Sequence, residues 1–194
     1  MRILPVHFTL AVLLGLSGCA TTSVPANRFM LPDSQAVPSG GPGADHVLLV
    51  RAPRLAHYLD VDGIVLQLDD ISLNAARQHL WAEPLGRQLE RGMRARLAKR
   101  LGDTRVLRDE GSQRDPDALF LRLEVDSFQG RYDGLAVASG QWQLLAADGT
   151  LVAMENFHAE TELDDDGYPA LVRALGRSWD QVADQVAAIV SRHR

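Results

Sequence analysis

The 194-residue chain is 46% hydrophobic and 23% charged, ordinary proportions for a folded domain, and it carries a net charge of -5 and one cysteine, Cys19. That acidic balance gives no electrostatic footprint for nucleic acid, because phosphate binding needs clustered Lys and Arg to displace counterions. A lone thiol excludes internal disulfides and multi-thiolate metal sites, so the core must hold by packing.

In chain order, Arg2 and an apolar run from Phe8 to Leu16 read as a signal peptide over residues 1–18, too short for a membrane-spanning helix. The run closes on Leu16-Ser17-Gly18-Cys19, a lipobox pattern. Small residues let a peptidase hold the backbone extended, and the thiol directly after them accepts diacylglycerol. Cys19 is therefore expected to be the acylated first residue of the mature chain. One myristoyl chain binds a bilayer with only about 10⁴ M⁻¹, so three acyl chains make an effectively permanent anchor. Ala20 follows where an Asp would retain a Gram-negative lipoprotein in the inner membrane, which points to outer-membrane lipid on the periplasmic side.

Residues 19–27 form a polar tether that spans at most about 28 Å. The rest, 28–194, reads as one domain, large enough to bury about two-thirds of its unfolded surface. Arg28 to Leu31 is a short apolar island suited to an edge strand, and 32–45, with Pro38, Gly40, Gly41, Pro42 and Gly43, is expected to be a flexible loop. His46 to Arg51 and Gly63 to Leu68 read as strands, with a further short one at Ile71 to Leu73 across an Asp69-Asp70 turn.

Leu80 to Leu101 reads as a helix carrying Leu85, Leu89, Met93, Leu97 and Leu101 in a stripe, with Pro84 in its first turn and Gly102 as its stop. Arg94, Arg96, Lys99 and Arg100 suit the negative end of its dipole; their face reads as solvated, with attraction to anionic headgroups the alternative. Ala118 to Phe128, Leu135 to Ala146 and Thr150 to Thr161 alternate as strands, the last two joined by an Asp148-Gly149 hairpin. A second helix follows Asp164-Asp165-Asp166 and presents Leu171, Val172, Leu175, Trp179, Val182, Val186 and Ile189 on one face. The sum is an α/β fold, a layered mixed sheet with flanking helices.

Chemistry is sparse along this chain. The histidines are scattered, and His79 with Glu83 would share a helix face only if that helix began early; one such pair is not a metal site. Neither the Asp164–Asp166 run nor Asp60-Val61-Asp62-Gly63 has the alternation of a calcium loop. Ser139 lies inside a predicted strand, a poor place for a nucleophile. Trp81, Trp142 and Trp179 fall in apolar periodic segments and are expected in the core. No cofactor is implied, and no enzymatic constellation is visible in sequence. The candidate contact is Arg131-Tyr132-Asp133 in the turn before Gly134; hairpin geometry and partner contact explain these residue types equally well.

Several motifs occur together and in order: Leu80-Trp81-Ala82-Glu83-Pro84-Leu85, Phe128 to Gly134, Ser139-Gly140-Gln141-Trp142 and Asp166-Gly167-Tyr168, after Phe29-Met30-Leu31-Pro32. With the lipobox, they make the chain resemble the ABC-type transport auxiliary lipoprotein family over nearly its whole mature length. Phe29 stands where family members usually show tyrosine. The resemblance implies a TolB N-terminal, anticodon-binding-like fold and a non-enzymatic part in lipid transport between membranes. The partner it implies is an MCE-domain tunnel protein reaching across the periplasm. A homo-oligomeric ring is expected as well, since one small domain cannot surround a channel exit. The alternatives are a structural envelope lipoprotein that binds a cell-wall or assembly partner, which a neighbouring wall-synthesis gene would favour, and a small hydrolase whose residues converge only on folding.

Overall fold

The computed structural model describes residues 25–32, 44–111 and 115–193. The expected signal peptide, Cys19, most of the tether and most of the 32–45 loop lie outside them. Twelve elements follow in order: β1 (Asn27–Phe29), β2 (His46–Val50), β3 (Arg54–Leu55), a 3-10 turn (His57–Leu59), β4 (Gly63–Gln67), β5 (Leu73–Trp81), α1 (Leu85–Arg100), β6 (Thr104–Arg108), β7 (Leu119–Gly130), β8 (Leu135–Leu145), β9 (Leu151–Glu162) and α2 (Tyr168–Val190).

All nine strands form one mixed sheet organised by β7. Along one side β7 takes β2, β3 and β4 in turn, all parallel to it, and along the other it pairs antiparallel with β8, which pairs with β9. β6 extends the sheet beyond β2; β5 and then β1 extend it beyond β4. The expected antiparallel meander is β7-β8-β9, and the island around Arg28 forms the expected edge strand. Leu121, Leu123 and Val125 are buried while Arg122, Glu124 and Asp126 between them are exposed, so this stretch of the sheet has one covered face.

The two helices cover that face. The stripe Leu85, Leu89, Met93, Leu97 and Leu101 is buried throughout, as are Leu171, Val172, Leu175, Trp179, Val182 and Val186 of α2. All three tryptophans are in the core: Trp179 meets Phe128 and Phe157 edge-on, and its Nε1 donates to the Leu89 carbonyl of α1 at 2.9 Å. This one side chain thus ties the two helices and the sheet together. β7 gains a residue between Val125 and Ser127, and Gly140 of β8 answers this bulge. A Cβ on Gly140 would sit 2.0 Å from the Glu124 carbonyl oxygen, which only glycine avoids.

Four expectations need correction. Leu80 and Trp81 end strand β5, and the helix begins at Leu85 with Pro84 as its N-cap, because β5 is held between β4 and β1. β5 itself starts at Leu73 and is far longer than the short strand expected there. β6 and β3 had no counterpart in the sequence reading. The basic end of α1 is only partly a solvated face: Lys99 and Arg100 are exposed, but Arg96 and Arg100 both grip Asp184 of α2 through paired hydrogen bonds of 2.5 to 2.7 Å. Those bonds hold the Asp184 carboxyl well below its ordinary pKa and raise those of both arginines.

Candidate functional site

Among the described residues, no group of three or more His, Cys, Asp or Glu side chains could hold a metal ion. No helix among them is long and apolar enough to cross a membrane. His79 is on β5, stacked on Tyr168 at 3.8 Å between ring centroids, while Glu83 lies in the following turn and pairs with Arg91. With Phe29 stacked on His79 at 6.0 Å, the three rings pin β1 to the start of α2. Asp164 pairs with Arg177 at 2.8 Å.

Ser139 faces His158 across the β8–β9 ladder, and His158 Nε2 lies 2.9 Å from Glu160 Oε1. Ser139 is on β8, whose amides are engaged by ladders on both sides, whereas His158 and Glu160 stand on β9 at the edge of the sheet. Glu160 is also shared with Arg131.

The expected contact residues sit at the tip of the β7–β8 hairpin. The loop is closed by Arg131 N to the Leu135 carbonyl at 2.7 Å and Gly134 N to the Arg131 carbonyl at 3.0 Å. Gly134 has φ +84°, as the third residue of such a loop requires. Arg131 donates to both Asp133 oxygens at 2.9 Å and to Glu160 at 2.6 Å. These bonds raise the arginine's pKa and lower those of both carboxylates. Arg131 and Asp133 are therefore largely spent on holding the loop. Tyr132, 61% exposed, is the group of the three left to meet something else.

A second turn stands beside this one. β4 pairs parallel with β7 at Leu66 and Gly130, so the β4–β5 turn and the β7–β8 tip leave the sheet side by side. Gly130 permits the packing beneath them, since a Cβ there would come within 2.8 Å of Leu66 and 2.9 Å of Leu171. Asp69 Oδ1 accepts from the amides of Ile71 and Ser72 at 2.9 and 2.7 Å, a turn that turns its apolar residues outward. Ile71 is 88% exposed. The sequence marks this turn through Asp69-Asp70, but pairing Ile71 with Tyr132 requires the β4–β7 register. Below the turns, Leu66, Leu163, Gly167, Tyr168 and Leu171 line an apolar hollow of about 180 Å³.

This end of the molecule presents two hairpin turns with outward apolar side chains over an apolar hollow. The profile of the family described as "ABC-type transport auxiliary lipoprotein component" matches residues 29–187. The chain is 33% identical over 181 residues to the intermembrane transport lipoprotein PqiC of Escherichia coli K12, covering 92% of this chain and 94% of that one. It is similar to PqiC of Shigella flexneri to the same extent. Among solved structures, an uncharacterized protein 29% identical superposes with a TM-score of 0.74 over 86% of this chain and 99% of that one. A Xanthomonas campestris protein 21% identical shares the fold, with a TM-score of 0.63 over 84% and 90% of the two chains. With a profile match running from β1 into the last turns of α2, the chain belongs to the family of ABC-type transport auxiliary lipoproteins.

Proposed function

We propose that this protein is the outer-membrane lipoprotein subunit of an MCE-type intermembrane transport system that moves phospholipid, and that it docks the periplasm-spanning, PqiB-like tunnel protein at the outer membrane. The observation that carries this reading is the end-to-end similarity to relatives named intermembrane transport lipoproteins, 33% identical across 92% of the chain. The lipobox ending at Cys19 and the Ala20 after it support outer-membrane anchoring. The tether of about 28 Å supports the division of labour: the domain stays at its own membrane, so the long partner must come to it. A homo-oligomeric ring of these domains would surround the tunnel exit. The protein's part is to bind and position, with no reaction of its own.

The test is crosslinking in intact cells followed by identification of the captured partner. An MCE-domain protein recovered with this lipoprotein supports the reading. Recovery of only cell-wall or assembly proteins, with no MCE-domain protein, refutes it.

A further inference from the structure

Strand β1 fixes the direction from which the preceding chain arrives. It runs parallel to β5, Asn27 beside His79 and Phe29 beside Trp81, and β5 runs away from its own turn with β4. The N-terminal end of β1 therefore points toward the side of the β4–β5 and β7–β8 turns. The height involved is small. Leu80 is level with Gly63 and Leu73 with Gln67, so Asn27 lies below the turns by about the rise of β4, roughly 13 Å at about 3.3 Å per residue. Eight residues can span about 28 Å, so a chain of that length starting at Asn27 is long enough to pass the turns with about 15 Å to spare. To reach the opposite end of the sheet the same chain would have to double back along β5.

What stands at that end is apolar. Ile71 is 88% exposed, Tyr132 61%, Leu68 56% and Leu73 45%, above the hollow lined by Leu66, Leu163 and Tyr168. The other well-exposed large apolar side chains among the described residues, Met30, Val61, Leu151 and Met154, lie elsewhere, on the chain after β1, before β4 and along β9. Contiguous exposed apolar groups mark a contact surface, and a tyrosine beside aliphatic side chains suits the headgroup level of a bilayer.

We propose that this end of the domain faces the bilayer that holds acylated Cys19, and that Ile71, Leu68 and Tyr132 enter its interface. The inference rests on the anchoring read above. It assigns the Arg131–Asp133 tip to the membrane as its partner and leaves the tunnel protein to approach from another side. The surface is zwitterionic: Asp69 and Asp70 stand at this end without a cation partner among the described residues, while Asp133 and Asp164 are offset by Arg131 and Arg177, so the turns carry a small net negative charge. Ammonium headgroups accept these carboxylates and an anionic surface repels them.

The acylated full-length protein provides its own test, since Cys19 is its only cysteine and acylation blocks that sulfur. Ile71→Cys then carries a single environment-sensitive fluorophore, with Val61→Cys at the opposite end of β4 as the control. In vesicles of phosphatidylcholine and phosphatidylethanolamine containing spin-labelled acyl chains, the position 71 probe should shift to the blue and lose intensity. The position 61 probe should do neither, and added phosphatidylglycerol should weaken the effect at 71. A position 71 probe that stays in water while the protein floats with the vesicles overturns the orientation, as does equal quenching at both positions. So does a response that appears only when an MCE-domain protein is added, and quenching that grows with phosphatidylglycerol overturns the zwitterionic assignment. The mass of the Cys19 peptide is read on the same sample: a protein without acyl chains fails the anchoring itself and takes the orientation with it.

Discussion

Glu90 offers the sharpest test of how α1 is fixed to the sheet. Its carboxylate is fully buried, and its two oxygens are taken by Arg94, one turn along the helix, and by Arg108 of edge strand β6. The arginine side chains keep 29% and 46% of their exposure, so the burial is lopsided: the anion is inside and its partners reach it from the surface. Removing the cations and removing the anion should therefore cost very different amounts. Arg94→Ala with Arg108→Ala strands a buried carboxylate, a loss of about 3–5 kcal/mol. At about 2–4 °C per kcal/mol for a chain of this size, the melting temperature should fall by about 6–20 °C. Glu90→Gln keeps the shape and releases two arginines that can rehydrate, so it should cost only about 1–2 kcal/mol. Adding Glu90→Gln to the double arginine variant should restore stability.

Urea unfolding followed by far-UV circular dichroism measures all of these. A Glu90→Gln variant that costs as much as losing both arginines, or that fails to rescue the double arginine variant, would refute the asymmetry.

Asp184, held below the ordinary carboxylate range by hydrogen bonds from Arg96 and Arg100, contributes stability that is present above about pH 4, its unfolded pKa, and fades as pH falls through the depressed folded value. Asp184→Asn should remove that part of the acid sensitivity, seen as a flatter urea midpoint between neutral and acid pH. Trp179→Phe keeps most of the packing but loses the bond to the Leu89 carbonyl, and should cost about 1–2 kcal/mol by chemical denaturation, against about 3–5 kcal/mol for Trp179→Ala. Gly140→Ala places a methyl group against the Glu124 carbonyl at the β7 bulge and should cost at least about 1–3 kcal/mol, with reduced amide protection in β7 and β8 by hydrogen exchange.

The meander and α2 were legible because their signals are local: strict alternation along Leu119, Leu121, Leu123 and Val125, a turn glycine at Gly149, and a continuous apolar face on α2. Strand β5 was hidden by its own composition. Ala75, Ala76, Arg77, Gln78 and Leu80 all favour helix, and the irregular register between its pairings, Gly63 with Leu80 but Val65 with Ala75, breaks the alternation. β4 and β1 on its two sides supply the strand partners that override those preferences. β6 is five residues long at a sheet edge, with only Thr104 and Val106 fully inward, too little pattern to stand out. The pairing of α1's basic end was not legible because Asp184 is 84 to 88 residues away in the chain. At the β7–β8 tip, Asp133-Gly134 announced the hairpin and exposed Tyr132. Nothing local announced that Arg131 would be occupied by Glu160, or that Ile71 would stand beside the tip.

Mass spectrometry of the N-terminal peptide, taken from separated inner and outer membranes of cells making the natural protein, tests the proposed anchoring. The expected result is a mature chain that begins at Cys19, carries acyl chains on that residue, and is found with the outer membrane. An unmodified thiol at position 19, cleavage at another bond, or recovery from the inner membrane would contradict it.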